Sequence, residues 1–110
     1  MSNLENTANK IKSYLAGQEI DYAKLMLFGS RAGKSFDSAS DYDLCLLINQ
    51  EMSFNSKTQL SSEIFRELYK NDALLPIDLI VKGMAEFEVE SEIPNTLSWN
   101  IKKEGIVLWH

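Results

Sequence analysis

Leu25-Met26-Leu27-Phe28-Gly29-Ser30, then ten residues from Arg31 to Ser40, then Asp41-Tyr42-Asp43-Leu44-Cys45-Leu46-Leu47-Ile48: this stretch decides how the chain is read. Two apolar runs of strand length bracket a small polar segment, and the first run ends in Gly-Ser, a turn signal. The pattern predicts a buried strand over Lys24 to Phe28, a tight turn or short helix, and a second strand from Asp41 to Ile48. Asp41 and Asp43 stand two apart at the head of that second strand. A strand alternates its side chains between faces, so both carboxylates point the same way, with Cα atoms roughly 6–7 Å apart.

Working outward, Ile77-Asp78-Leu79-Ile80-Val81 is a third strand, apolar on either side of one carboxylate. Between the second and third strands, Ser56 and Gln59 have the form of a capping box, and Leu60, Ile64, Phe65 and Leu68 make one stripe. A helix is therefore expected over Ser56 to Lys70, broken by Asn71-Asp72 and Pro76. Toward the N-terminus, Leu4, Ala8, Ile11 and Leu15 recur at helical spacing, with Ser2 and Glu5 as a capping box and Gly17 as a stop. Toward the C-terminus, Pro94 in a first turn, Leu97 and Ile101 on one side, and Gly105 after the last turn mark a final helix. The apolar tail Ile106 to Trp109 can add a terminal strand. The expected class is α+β (or α/β): a small mixed sheet with helices packed on one face, in one domain spanning residues 1–110.

Composition narrows the chemistry. The chain has 110 residues, 11 Lys+Arg against 16 Asp+Glu, a net charge of −5, one Cys and one His. That supply excludes a disulfide framework and a Cys/His zinc site, so a bound metal should take oxygen ligands. The acidic balance weighs against a broad nucleic-acid grip. No basic patch precedes a long apolar run at the N-terminus, so neither a signal peptide nor a membrane anchor is expected, and the cytoplasm is the default location.

If the third strand lies beside the second, Asp78 joins Asp41 and Asp43. At about 6 Å and an effective dielectric near 20, each ionised pair repels by roughly 3 kcal/mol. Such a cluster calls for protonation or for divalent cations, and Mg²⁺ suits it because it binds through one or two carboxylates plus substrate phosphates. Two ions would assist an in-line displacement. Gly29-Ser30 sets a turn with free backbone N–H groups and a hydroxyl directly after a strand, where a triphosphate could be cradled. The plainer readings are a solvated strand end for Asp-x-Asp, an edge-strand carboxylate facing water for Asp78, and a helix cap for Ser30; the combination is what points to chemistry.

With these residues in place, the sequence resembles the nucleotidyltransferase superfamily related to the catalytic palm of DNA polymerase beta. It is most similar to the minimal nucleotidyltransferases (MNT) that act as antitoxins beside HEPN-domain toxins, whose motif is Gly-Ser-x10-Asp-x-Asp. The likeness extends to Pro76-Ile77-Asp78-Leu79-Ile80 and to the closing segment from Ile101 to Trp109. It implies that Gly29 and Ser30 bind the triphosphate of ATP, that Asp41, Asp43 and Asp78 are catalytic and hold two Mg²⁺ ions, and that Asp78 helps activate the acceptor hydroxyl. It further implies transfer of AMP to a hydroxyl, expected to be a tyrosine, of a cognate HEPN ribonuclease. The small size of the domain, which offers a shallow sheet face, itself calls for a partner to complete the site, and both a homo- and a hetero-oligomer stay open. Many relatives read Gly-Ser-x-Ala-x-Gly, whereas here Gly33 follows Ala32 directly and Lys34 holds the usual glycine position.

Other patterns fit less well. Gly33-Lys34-Ser35 suggests a P-loop, but only three residues separate Gly29 from Gly33 where four are needed. Asp37 to Asp43 is no EF-hand loop, since Ala39 and Cys45 stand where oxygen ligands belong. Cys45 reads as an inert core thiol, and Trp99 and Trp109 as packing residues or part of a partner surface. Arg31 and Lys34 could reach phosphates, although loop cations are usually solvated. His110 is the only histidine, so the chain lacks the Arg-x4–6-His signature of a HEPN toxin; the nearest preceding arginine is Arg66. Three functions are left: a protein adenylyltransferase, an antitoxin that silences by binding alone, and a small-molecule nucleotidyltransferase of the antibiotic-modifying kind.

Overall fold

The computed structural model describes residues 3–32, 41–70 and 75–109. Ser2 of the first capping box, Lys34 and the rest of Gly33 to Ser40, Asn71-Asp72 and His110 lie outside the described residues. In chain order the elements are α1 (Asn3–Gly17), β1 (Tyr22–Phe28), a 3-10 turn (Gly29–Ala32), β2 (Tyr42–Ile48), α2 (Phe54–Tyr69), β3 (Ile77–Gly83), α3 (Met84–Glu90), α4 (Leu97–Glu104) and β4 (Ile106–Trp109).

The strands form one mixed sheet in the order β3-β2-β1-β4. β1 is antiparallel to both β2 and β4, and β2 runs parallel to β3. A parallel pair needs a crossover, which α2 supplies. Alternation along the strands sends Leu25, Leu27, Leu44, Leu46, Leu79 and Val81 to one face, against Ile11 and Leu15 of α1 and Leu60, Ile64 and Leu68 of α2. Met26, Cys45 and Leu47 point the other way, onto Phe87 of α3 and Ile101 of α4. The expected one-face packing thus describes the two long helices, while the two short ones cover part of the opposite face. Among the described residues no helix is long and apolar enough to cross a membrane.

Three local details differ from the sequence pattern. Helix α2 starts earlier than Ser56: Ser53 is its cap and accepts from the Ser56 backbone N–H at 3.1 Å, so Ser56 lies inside the first turn. Pro94 is not in a first helical turn, because Asn95 takes a left-handed conformation (φ 70°) and interrupts the chain. Asn tolerates that conformation, and Thr96 then caps α4 by accepting from the Trp99 N–H at 3.1 Å. Helix α3 has no counterpart in the sequence pattern. Its seven residues alternate acids with apolar groups and bury only Phe87, which is too short a stripe to stand out as a period.

The closing segment is tied down as a strand. Trp109 is buried, with its indole N–H donating to the Ala8 carbonyl at 2.8 Å. Trp99 is half-buried under the Lys103 ammonium, 4.8 Å from its ring centroid.

Candidate active site

The heads of β2 and β3 are level with one another. The Tyr42 N–H donates to the Pro76 carbonyl at 2.9 Å, and the parallel ladder then pairs Asp43 with Asp78. Partners in a parallel register share a face, and neighbouring strands lie about 4.8 Å apart. Asp43 shares its face with Cys45 and Leu47, beyond the edge of the cover that α3 and α4 provide. Asp41, two residues earlier, stands exposed just ahead of the strand. The sheet therefore brings Asp43 and Asp78 side by side, and Asp41, just ahead of the strand, is near enough for its charge to act on Asp43.

On its other flank Asp43 pairs with Phe28 of β1, and the chain turns there at Gly29. Gly29 has φ 72°, a conformation that costs other residues, and a Cβ at this position would run into the Asp43 carboxylate. The 3-10 turn carrying Ser30 is thus seated directly against the carboxylate, and both requirements explain the glycine. Burial raises the Asp43 pKa above the ordinary carboxylate value; the neighbouring charges of Asp78 and then Asp41 push it the same way. This is crowding of like charge beside a turn with a hydroxyl, an arrangement that favours a cation and an anion bound together.

Among the described residues no three Asp, Glu, His or Cys side chains are gathered tightly enough to cage an ion unaided. Mg²⁺ in general takes few protein carboxylates and completes its shell with water and phosphate oxygens. The donor set, carboxylates without sulfur or imidazole, is of the hard kind that Mg²⁺ prefers. A cleft of about 800 Å³, bordered by Met52, Gly83, Met84 and Val89, opens at the other end of the sheet and contains none of these acids.

Arg31 is placed differently from the phosphate-reaching role considered above. Its guanidinium lies 4.3 Å from the centroid of the Tyr42 ring, and Nη1 donates to the Tyr42 hydroxyl at 3.4 Å. Tyr42 packs beside the α1/α2 core, so this pair is on the face away from the carboxylates. The alternation of Asp41-Tyr42-Asp43 was the available signal for it. Cys45 is fully buried, and burial pushes its thiol up to about 12, as an inert core residue requires.

The family model for polymerase beta nucleotidyltransferases matches residues 9–110. The chain belongs to this family. Among solved structures, a Sulfolobus solfataricus protein assigned as a nucleotidyltransferase is similar with a TM-score of 0.62 and 19% identity, over 94% of this chain and 77% of that one. The toxin–antitoxin complex MntA–HpeT, in a doubly substituted form, gives a TM-score of 0.56 at 17% identity, over 93% and 72% of the two chains. The complex of tri-AMPylated Shewanella oneidensis HEPN toxin with MNT antitoxin gives 0.52 at 18% identity, over 94% and 69%. At these identities the likeness establishes the nucleotidyltransferase fold of this member. No curated protein matches the sequence.

Proposed function

We propose that this family member is an MNT antitoxin, a single domain over residues 1–110 that transfers AMP from ATP to a tyrosine hydroxyl of a cognate HEPN toxin in the cytoplasm. The observation that carries the reading is the register of Asp43 with Asp78 beside a Gly29-Ser30 turn seated on Asp43. The antitoxin complexes among the fold neighbours support the choice of partner.

In this reading the Ser30 hydroxyl and the amides of its turn hold the triphosphate. Asp41, Asp43 and Asp78 would hold Mg²⁺, which when bound neutralises charge on the phosphates. Asp78 is exposed on β3, an edge strand, so a hydroxyl presented by another protein reaches it directly. The hydroxyl oxygen bonds to the α-phosphorus, the bond to the β-phosphate oxygen breaks, pyrophosphate departs, and the hydroxyl proton passes to the Asp78 carboxylate. Asp41 and Asp78 stand on an open sheet end, and transfer needs water excluded. A protein acceptor brings the missing wall with it, which a small molecule does not.

The test is mass spectrometry of a candidate partner, a helical protein with the Arg-x4–6-His signature sought in the neighbouring reading frame, after co-expression with this chain. One or more added AMP units are expected, falling by at least about 10²-fold when Asp41→Asn is combined with Asp43→Asn. An unmodified partner that is nevertheless silenced by the double variant would instead make the chain a binding antitoxin. Label from α-labelled ATP appearing on a small hydroxylated compound, with no second protein present, would make it an antibiotic-modifying type of enzyme.

A further inference from the structure

We propose that Arg31 and Tyr42 form a clasp on the back of the sheet that positions the Gly29-Ser30 turn against Asp43. The inference rests on the nucleotide-transfer reading of the site and adds two positioning residues to it. Tyr42 lies between Asp41 and Asp43, so strand alternation turns its ring to the opposite face, beside the α1/α2 core. Arg31 covers that ring at 4.3 Å and donates to its hydroxyl at 3.4 Å, a cation–π pair with a hydrogen bond added.

The connectivity gives the pair its role. Arg31 directly follows Ser30, and Tyr42 directly precedes Asp43, so the clasp joins the two halves of the site one residue from each functional group. The turn needs such a hold. None of Gly29–Ala32 is fully buried, Gly29 and Ser30 are exposed, the glycine is pressed against a carboxylate, and Ala32 alone of the four packs in part on the α1/α2 core, on the same side as the clasp. Little apolar surface keeps the turn in place from the front, so the restraint comes from behind. A guanidinium engaged with the rear ring is also directed away from phosphates bound in front. Its service to the reaction is geometry: a displacement of about 1 Å in a positioning group can cost about 10²-fold in rate.

The experiment uses the full chain carrying Arg31→Ala, Tyr42→Leu, both together, or Tyr42→Phe. Hydrogen exchange at the Ser30, Arg31 and Ala32 amides is measured first. Arg31→Ala and Tyr42→Leu should each speed it by about tenfold while leaving α2 and β3 unchanged. AMP transfer to the partner is measured second. Each single variant should lower kcat by about 10- to 100-fold with KM for ATP altered less than about threefold, and the double variant should be no slower than either. Tyr42→Phe keeps the ring and should recover kcat to within about threefold of the parent.

Unchanged exchange in both single variants would overturn the clasp. So would a rise in KM for ATP in Arg31→Ala that Tyr42→Leu does not share, since that would make Arg31 a phosphate ligand. Absence of transfer in the parent protein would count against the transfer reading alone, and the exchange measurement would still decide the clasp. If Tyr42→Leu does not fold, Arg31→Met breaks the same pair from the other side.

Discussion

One face of the sheet carries carboxylates at both of its ends, and the two ends treat them oppositely. At the heads of β2 and β3, Asp43 is crowded by Asp78 and Asp41, and burial adds to the crowding, so its pKa rises. At the far end, Glu90 of α3 accepts from Lys82 Nζ at 2.9 Å and from the Ser98 hydroxyl at 3.0 Å. The Lys82 hydrogen bond and then the Ser98 one hold Glu90 below the ordinary glutamate range. Between the ends runs a dry row in which Cys45 pairs with Met26 on one side and Ile80 on the other. A carboxylate that ties β3 to α3 and α4 is given its cation within the fold. At the other end Asp43 has like charges for neighbours, a cost in stability that a bound cation would relieve under the proposed function.

The largest expected effect concerns the seat of the turn. Gly29→Ala must adopt a left-handed conformation and push against the Asp43 carboxylate, and should destabilise the protein by about 2 kcal/mol in urea unfolding. An unchanged midpoint would mean that the turn does not rest on Asp43, and the crowded end would lose one of its walls.

A smaller effect, of opposite sign, should come from Asp43 itself. Its folded pKa is raised, so the folded chain holds this proton more tightly than the unfolded one. Stability should then fall as pH climbs from the ordinary carboxylate range through the raised value. Asp43→Asn should remove that decline and stabilise the ligand-free protein at neutral pH by about 1 kcal/mol, a rise of about 4 °C in thermal midpoint. Mg²⁺ with AMP-PNP should raise the parent's midpoint and leave that of the Asp41→Asn, Asp43→Asn variant unmoved. A less stable Asp43→Asn protein would show that the carboxylate is structural after all.

The smallest effect belongs to the paired end. Glu90 has a lowered pKa, so its contribution is present above the ordinary glutamate range and is lost as pH falls through the folded value. Its side chain is 39% exposed, which places the ion pair among solvent-screened ones. Glu90→Gln should cost about 0.5 kcal/mol at neutral pH and flatten the acid side of the stability profile. The comparison between the ends becomes sharp if the two variants change the pH profile with opposite slopes.

Much of this is legible in the sequence. The apolar runs from Leu25 and Leu44, the stripes of α1 and α2, and the shared face of Asp41 and Asp43 are local periodicities, which a chain displays without folding. Helix α3 was not legible, because seven residues around Phe87 carry no readable period. The starts of α2 and α4 differ from the sequence pattern for a related reason. Several Ser, Thr and Pro residues compete for each cap, and the backbone at Ser53 and Asn95 decides among them.

What the sequence alone determined is the inventory and its alternation: which residues make strands, which carboxylates share a face, and that ten residues separate Ser30 from Asp41. What only the tertiary structure decided is adjacency. The pairing of Asp43 with Asp78 depends on α2 carrying the chain across so that β3 lies parallel to β2 in one register. The grip of Arg31 on Tyr42 depends on the turn folding back over the sheet. Both are contacts between elements, chosen by the burial of two faces at once, and no local period of the chain encodes them.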